Sequence, residues 1–389
     1  MKLATRMSRL GTETAFEVLA KAKRLEAEGR DIIHLQIGEP DFDTPMNIVD
    51  AGVKALKGGY THYGPSAGLP PLRAKIAEEV SKTRGVQYGP ENVVVTPGGK
   101  PIMFFAILAL VNEGDEVLYP NPGFPIYESM IRFVGGVPVP MKLTAAREFA
   151  IDVDEVAKSI TPKTKLMVIN SPNNPCGSIV PKETLEKLAK LSVKHDIPVL
   201  SDEIYIRFLF EGKHDSIVSF PGMKERTIIL DGFSKTYAMT GWRIGYGVMP
   251  KEMVDPIAKL MTNSVSCTSS ATQMAALEAL NGSQDAANAI VAEFKARRDI
   301  FVGGLNKISG IKCPMPEGAF YAFPNIEGTG MTSRQFADGL LDEFGVACLA
   351  GESFGEFGKG CVRFSFANST KNLERALERI DKFVKSKKK

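Results

Sequence analysis

A chain of 389 residues with 44% hydrophobic and 24% charged side chains can hold two domains and a large core, without disulfides or metals. The net charge is only +3 and no basic face carries interleaved aromatic residues, which argues against a nucleic-acid partner. Cys176, Cys267, Cys313, Cys348 and Cys361 include no C-x-x-C pair, as expected in a reducing, cytoplasmic compartment, and the four histidines are too scattered for a zinc site.

The N-terminus, MKLATRMSRL, lacks the apolar core of a signal peptide. Residues 12–29 form a helical stretch closed by Gly29. Asn92–Thr96 is a β-branched strand, followed by a Gly-rich turn and a helix over Pro101–Asn112. The most apolar stretch of the chain, Ile102–Val111, is about half of what a membrane span needs, so no membrane is expected. Further strands are Glu116–Tyr119, Lys165–Ile169, Ile197–Leu200, Thr227–Leu230 and Arg243–Val248. A helix over Lys182–His195 is marked by Leu185, Leu188 and Leu191. Beyond these come a long charged helix over Ala287–Leu305, short strands near Ala319–Phe323 and Cys361–Phe366, and a last helix after Ser369-Thr370. Five of the eight residues Lys382–Lys389 are Lys, which reads as a solvated, frayed tail without a partner.

Strands alternating with helices predict an α/β architecture, with a mostly parallel sheet covered by helices on both faces. Residues 46–285 would form this large domain. Residues 1–45 and 286–389 together would form a smaller α+β domain built from both termini.

Three polar clusters stand directly after three of the strands. Ser171-Pro-Asn-Asn174-Pro-Cys-Gly177 follows Lys165–Ile169, Asp202-Glu-Ile-Tyr205 follows Ile197–Leu200, and Gly232-Phe-Ser-Lys235 follows Thr227–Leu230. Ligands in open parallel sheets bind beyond the carboxyl ends of the strands, so the three clusters can meet in one crevice. Gly245-Tyr-Gly247 lacks the third glycine of a dinucleotide fingerprint, and Pro250 follows at once, so a nicotinamide site is rejected.

S-P-N-N-P-C-G, S-D-E-I-Y and F-S-K-T-Y-A-M-T-G-W-R-I-G-Y, in this order and spacing, resemble the fold-type I, class I aminotransferases. The opening I-G-E-P-D-F-D-T-P and the late V-R-F-S-F-A fit the same family, so the likeness runs from about residue 8 to 380. It implies pyridoxal 5′-phosphate as cofactor and a PLP/PMP ping-pong transfer of an amino group to a 2-oxoacid. It also implies a homodimer with shared sites.

By the same resemblance, Lys235 would hold the cofactor as a Schiff base and later shuttle the substrate proton, and Asp202 would pair with the pyridine nitrogen. Tyr205 and Asn174 would hydrogen-bond the phenolic oxygen, Asn174 also lying against the substrate. Gly98, Gly99, Ser234 and Arg243 would hold the phosphate, and Tyr63 would reach the phosphate of the neighbouring subunit. Relatives often carry Ser where this chain has Gly232, which weakens the case for Ser234. Phe124, where relatives often have Trp, would stack on the ring and wall the substrate pocket. Arg363 would clamp the substrate α-carboxylate, with a backbone contact from Gly38.

Lys100 stands at the start of a helix, where a cation opposes the macrodipole by about 0.3–1 kcal/mol, so an anion is expected beside it. The cofactor phosphate is one candidate. The other, taken from an aspartate aminotransferase subgroup with the same G-G-K, is the distal carboxylate of an acidic substrate. Aspartate or glutamate is therefore the leading donor. Ala15, where those relatives have Thr, argues against prephenate. Neutral or aromatic donors, and a β-lyase reaction on the same fold, remain as alternatives, while a regulator with an appended DNA-binding domain finds no spare length.

Overall fold

The β-branched runs form the middle of a seven-stranded sheet. The computed structural model describes residues 1–387. Its strands, in chain order, are β1 (Ile33–His34), β2 (Val93–Thr96), β3 (Glu116–Asn121), β4 (Val137–Lys142), β5 (Thr164–Asn170) and β6 (Val199–Asp202). They continue as β7 (Thr227–Gly232), β8 (Gly245–Val248), β9 (Tyr321–Ala322), β10 (Val346–Ala347), β11 (Leu349–Ala350) and β12 (Val362–Ser365). The large sheet has the order β2-β8-β7-β6-β5-β3-β4. β8 runs antiparallel to both neighbours and the other pairings are parallel, so the expected mostly parallel sheet carries one reversed strand.

Side chains alternate across this sheet with the period of two that extended backbone imposes. Val94, Leu166, Val168, Leu200, Ile228 and Leu230 face one helical layer, which includes helix Lys100–Leu110. On the opposite face Val93, Val95 and Ile229 meet residues of helix Pro70–Arg84, and Met167, Ile169 and Val199 meet helix Lys182–His195. Both faces are buried, which is why these strands read as nearly continuous apolar runs.

Residues from the two ends meet each other. β1 pairs in parallel with β10, and β11-β12-β9 form a small antiparallel sheet. Against it lie Phe294 of helix Asp285–Leu305 and Phe383 of helix Thr370–Lys387. Phe294 stacks on Phe320 at 5.1 Å between ring centres.

Two of the expected strands lose their first two residues, and backbone torsion is the cause. Ala319 has φ 57° and Arg243 has φ 53°, values outside the extended region, so pairing begins only at Tyr321 and Gly245. The basic tail is also more ordered than expected. Its helix continues to Lys387, which ion-pairs with Glu343, while Lys388 and Lys389 lie outside the described residues. Among the described residues no helix is long and apolar enough to cross a membrane, and no cluster of His, Cys, Asp and Glu could hold a metal ion.

Beneath the sheet's carboxyl edge lies a charged cluster with no counterpart in the motif reading. Arg84 bonds Glu203 at 2.9 Å and Asp231 at 2.8 Å, and all three side chains are buried. Burial favours a neutral Glu203, yet Arg84 overrides this and holds the carboxyl well below its usual range; for Asp231 burial wins and pushes the pKa up. Removing one partner of such a cluster strands a buried charge. Arg84→Met is expected to lose about 3–5 kcal/mol of unfolding free energy in a denaturant titration. A loss under about 1 kcal/mol would mean that water already solvates the carboxylates.

Candidate active site

The registers Asn170↔Asp202 and Asp202↔Leu230 set the ends of β5, β6 and β7 side by side. The polar clusters that follow them open into one cleft of about 560 Å³. Of the residues expected from the sequence, Lys235, Asp202, Tyr205, Asn174, Ser234 and Arg243 line this cleft. So do Gly38, Gly99, Lys100, Phe124 and Arg363.

Lys235 follows β7 by three residues, and its Nζ donates to the backbone oxygen of Gly38 at 2.5 Å. Burial lowers its pKa from 10.5 to about 8, with Glu39 and Glu13 opposing the shift and Arg363 and Lys100 adding to it. Desolvation and neighbouring cations are what prepare an amine for nucleophilic and base chemistry.

Asp202 is the last residue of β6 and is buried. Its donors are both neutral. The Tyr127 hydroxyl donates to Oδ2 at 2.5 Å, and the Ile204 N–H donates to Oδ1 at 3.2 Å. Burial therefore raises its pKa from 3.8 to about 6, despite these two bonds, and the nearby Asp231 and Glu203 add to the rise. Below pH 3.8 both the folded and unfolded chains carry the proton. Between 3.8 and about 6 only the folded chain keeps it, so stability falls as pH rises, and above 6 the full penalty is present. Asp202→Asn should therefore stabilise the protein without bound small molecules by roughly 1–3 kcal/mol at pH 7–8. In thermal melts that advantage should fade toward pH 4, and a pH-independent difference would contradict the assignment.

Arg363, on β12, is buried at the other wall of the cleft. Its Nη1 donates to Asn174 Oδ1 at 2.9 Å and its Nη2 to the backbone oxygen of Gln36 at 2.5 Å. The guanidinium lies over the rings of Tyr321, at 4.5 Å, and Phe354, at 4.7 Å. Its Nε is buried and has no hydrogen-bond partner among the described residues. The hydroxyls of Tyr205 and Tyr321 share a 2.6 Å hydrogen bond. A Cβ on Gly38 would fall 1.9 Å from the Tyr321 hydroxyl, so no larger residue fits that corner.

At the opposite end, Gly98 has φ 92° and leads into helix Lys100–Leu110. A Cβ on Gly98 would come within 2.3 Å of Arg243 Nη2, and Arg243 Nη1 is held by the backbone oxygen of Thr240 at 2.8 Å. The Gly98 N–H is spent on the Thr96 carbonyl and the Ile102 N–H on that of Gly99, which leaves the N–H groups of Gly99 and Lys100 at the helix start, beside an exposed guanidinium, to suit a dianion. Phe124 presents its ring to the cleft, edge-on to Tyr127 at 5.7 Å. Tyr63 is 89% exposed and does not line this chain's own cleft.

Lys100 does have an anionic neighbour, but one that the motifs did not indicate. Its Nζ is ion-paired with the carboxylate of Glu13 and sits 5.3 Å from the centre of the Phe124 ring. Tyr127, Tyr321, Phe354 and Glu13 are among the site residues that the sequence reading missed. Tyr127 stands three residues past Phe124 and could have been found only by asking which donor reaches Asp202.

Comparison with known proteins bears out this resemblance over nearly the whole chain. The family model described as aminotransferase class I and II matches residues 30–380. An aspartate aminotransferase of Bacillus sp. (strain YM-2) is 39% identical over 98% of this chain and 99% of its own. An aromatic-amino-acid aminotransferase of Thermococcus litoralis is 39% identical over 92% of both chains. The solved aspartate aminotransferase of Thermus thermophilus with maleate superposes with a TM-score of 0.94 at 39% identity, covering 98% of this chain and 100% of that one. A likeness that began with short motifs thus extends from end to end, and the chain belongs to the class I and II aminotransferases.

Proposed function

We propose that this aminotransferase works with pyridoxal 5′-phosphate and moves the amino group of aspartate or glutamate to a 2-oxoacid. One observation carries the cofactor reading. A buried carboxylate with only neutral donors, Asp202, shares a cleft with an amine whose pKa burial has lowered, Lys235. An uncompensated carboxylate of this kind fits a pyridine N–H, and the Gly98–Gly99 helix start with Arg243 fits a phosphate dianion.

When bound, the cofactor supplies an electron-withdrawing ring that stabilises the electron pair left at the amino acid's Cα. Asp202 would hold a proton on the ring nitrogen and so keep that withdrawal strong. Lys235 Nζ would anchor the cofactor, then take the Cα proton and deliver it for the transfer. Arg363 would orient the α-carboxylate by a paired set of N–H bonds, and the Tyr205 and Asn174 side chains would support a negative oxygen on the ring. Phe124 would cover the ring face and help exclude water. Ser234 would add a hydroxyl at the phosphate.

Support for an acidic donor comes from Lys100 at the cleft mouth and from the aspartate aminotransferases among the relatives. A second reading, a neutral or aromatic donor, draws on the Thermococcus litoralis relative at the same identity and on Phe16 and Phe124 in the lining. Incubating the loaded enzyme with a panel of amino donors and 2-oxoglutarate decides between them. Glutamate formed fastest from aspartate supports the first reading, and formation fastest from an aromatic donor supports the second. Ammonia released without glutamate would indicate a lyase.

We infer further that 1–45 and 286–389 act as one smaller domain against 46–285, and that the enzyme is a homodimer. Tyr63 would reach the partner's phosphate. Exposed Met46, Val53, Leu56, Tyr60 and Tyr63 follow one another in a segment suited to burial against a second copy. Five unpaired cysteines fit a cytoplasmic enzyme.

A further inference from the structure

Glu13 belongs to none of the motifs, yet it stands in the cleft and holds the cation on which the choice of substrate turns. We propose that Glu13 is a latch on Lys100. Its carboxylate takes the place on the ammonium that a substrate's distal carboxylate needs, so dicarboxylic substrates must displace it and monocarboxylic ones need not. This rests on Lys100 being the distal-carboxylate partner.

Glu13 is the residue just before helix Thr14–Ala27, and its side chain makes no capping bond to that helix. The carboxylate is instead committed to Lys100, the first residue of helix Lys100–Leu110. An ammonium at a helix N-terminus is disfavoured by the macrodipole, so a neighbouring anion relieves it. Without substrate, that anion is Glu13. The Glu13 side chain is 17% exposed and that of Lys100 is 48% exposed, so the pair sits at the lip of the cleft, with the acid turned inward.

The field of Glu13 also reaches Arg363 and Lys235, deeper in the same cleft. A dicarboxylate with one end on Arg363 would bring its other end against Glu13 as well as Lys100. Two carboxylates then compete for one ammonium, and like charges repel. A monocarboxylate on Arg363 leaves the Glu13–Lys100 pair undisturbed. The latch therefore sets the discrimination between acidic and neutral substrates below what Lys100 alone would give, and its release accompanies the binding of acidic ones.

The test uses enzyme loaded with pyridoxal 5′-phosphate, titrated with succinate and with propionate, and followed by the absorbance of the bound cofactor. Wild type, Glu13→Gln, Lys100→Met and the double variant are compared by the ratio of succinate to propionate affinity. Glu13→Gln is expected to raise that ratio about fivefold, the size a partly screened ion pair carries. The rise should vanish when Lys100 is already Met. A ratio unchanged or lowered by Glu13→Gln overturns the latch. A rise that persists in the Lys100→Met background also overturns it, since Glu13 would then act through its field on Arg363. If Lys100→Met alone leaves the ratio unchanged, the distal-carboxylate reading falls and the latch with it. Failure of Glu13→Gln beside an intact Lys100→Met effect removes the latch alone.

Discussion

Lys235→Ala is expected to reduce turnover by at least about 10⁴-fold, because the proposed mechanism gives this one amine two tasks, covalent anchoring and proton transfer. The substitution removes an amine whose pKa burial has already lowered to about 8, so the folded protein should tolerate it. Two measurements separate this from misfolding. The visible absorbance of the loaded enzyme should be lost or displaced, because the covalent link to Nζ is gone, while circular dichroism and the melting temperature stay near wild type. An unchanged visible spectrum with pyridoxal 5′-phosphate bound would refute the role of Lys235.

Arg363→Ala should have a different signature. Its guanidinium is buried between Tyr321 and Phe354 and bonded to Asn174 and Gln36, and its Nε has no partner among the described residues. Truncating one side of a buried, charge-assisted carboxylate contact costs about 2–5 kcal/mol, or roughly 30-fold to 5,000-fold in kcat/KM. Most of that loss should appear as a raised KM for every amino donor, acidic or neutral, with the spectrum of the loaded enzyme nearly intact. Arg363→Lys should recover only part of it, since an ammonium keeps the charge but not the planar fork. An effect confined to dicarboxylic donors would place Arg363 at the distal end instead.

Much of this arrangement could be read from the chain because its signals are local or periodic. Helix Lys182–His195 was legible to the residue, from three leucines and the break that follows. The meeting of Asn174, Asp202 and Lys235 could be expected because parallel strands share a carboxyl edge, and their register places Asn170, Asp202 and Leu230 in line. The contacts between distant residues were not legible. Tyr127 and Asp202 are 75 positions apart, Tyr205 and Tyr321 are 116 apart, and Arg84 and Glu203 are 119 apart. Neither periodicity nor a motif announces such pairs. Lys100 lies between these cases. The helix dipole called for an anion beside it, but only the fold could choose Glu13.

The isolated carboxylate at the end of β6 has a consequence for the life of the protein in a cell. If the proposed vitamin-derived cofactor pairs with Asp202, a fold that keeps this carboxylate ionised without a cation beside it would be least secure before that partner arrives and more secure afterwards, by the mass action of a ligand that binds only the native form. Newly made chains that outrun the supply of that partner should be the first to meet proteases. The steady amount of enzyme would then follow the nutrition of the cell even at a constant rate of synthesis.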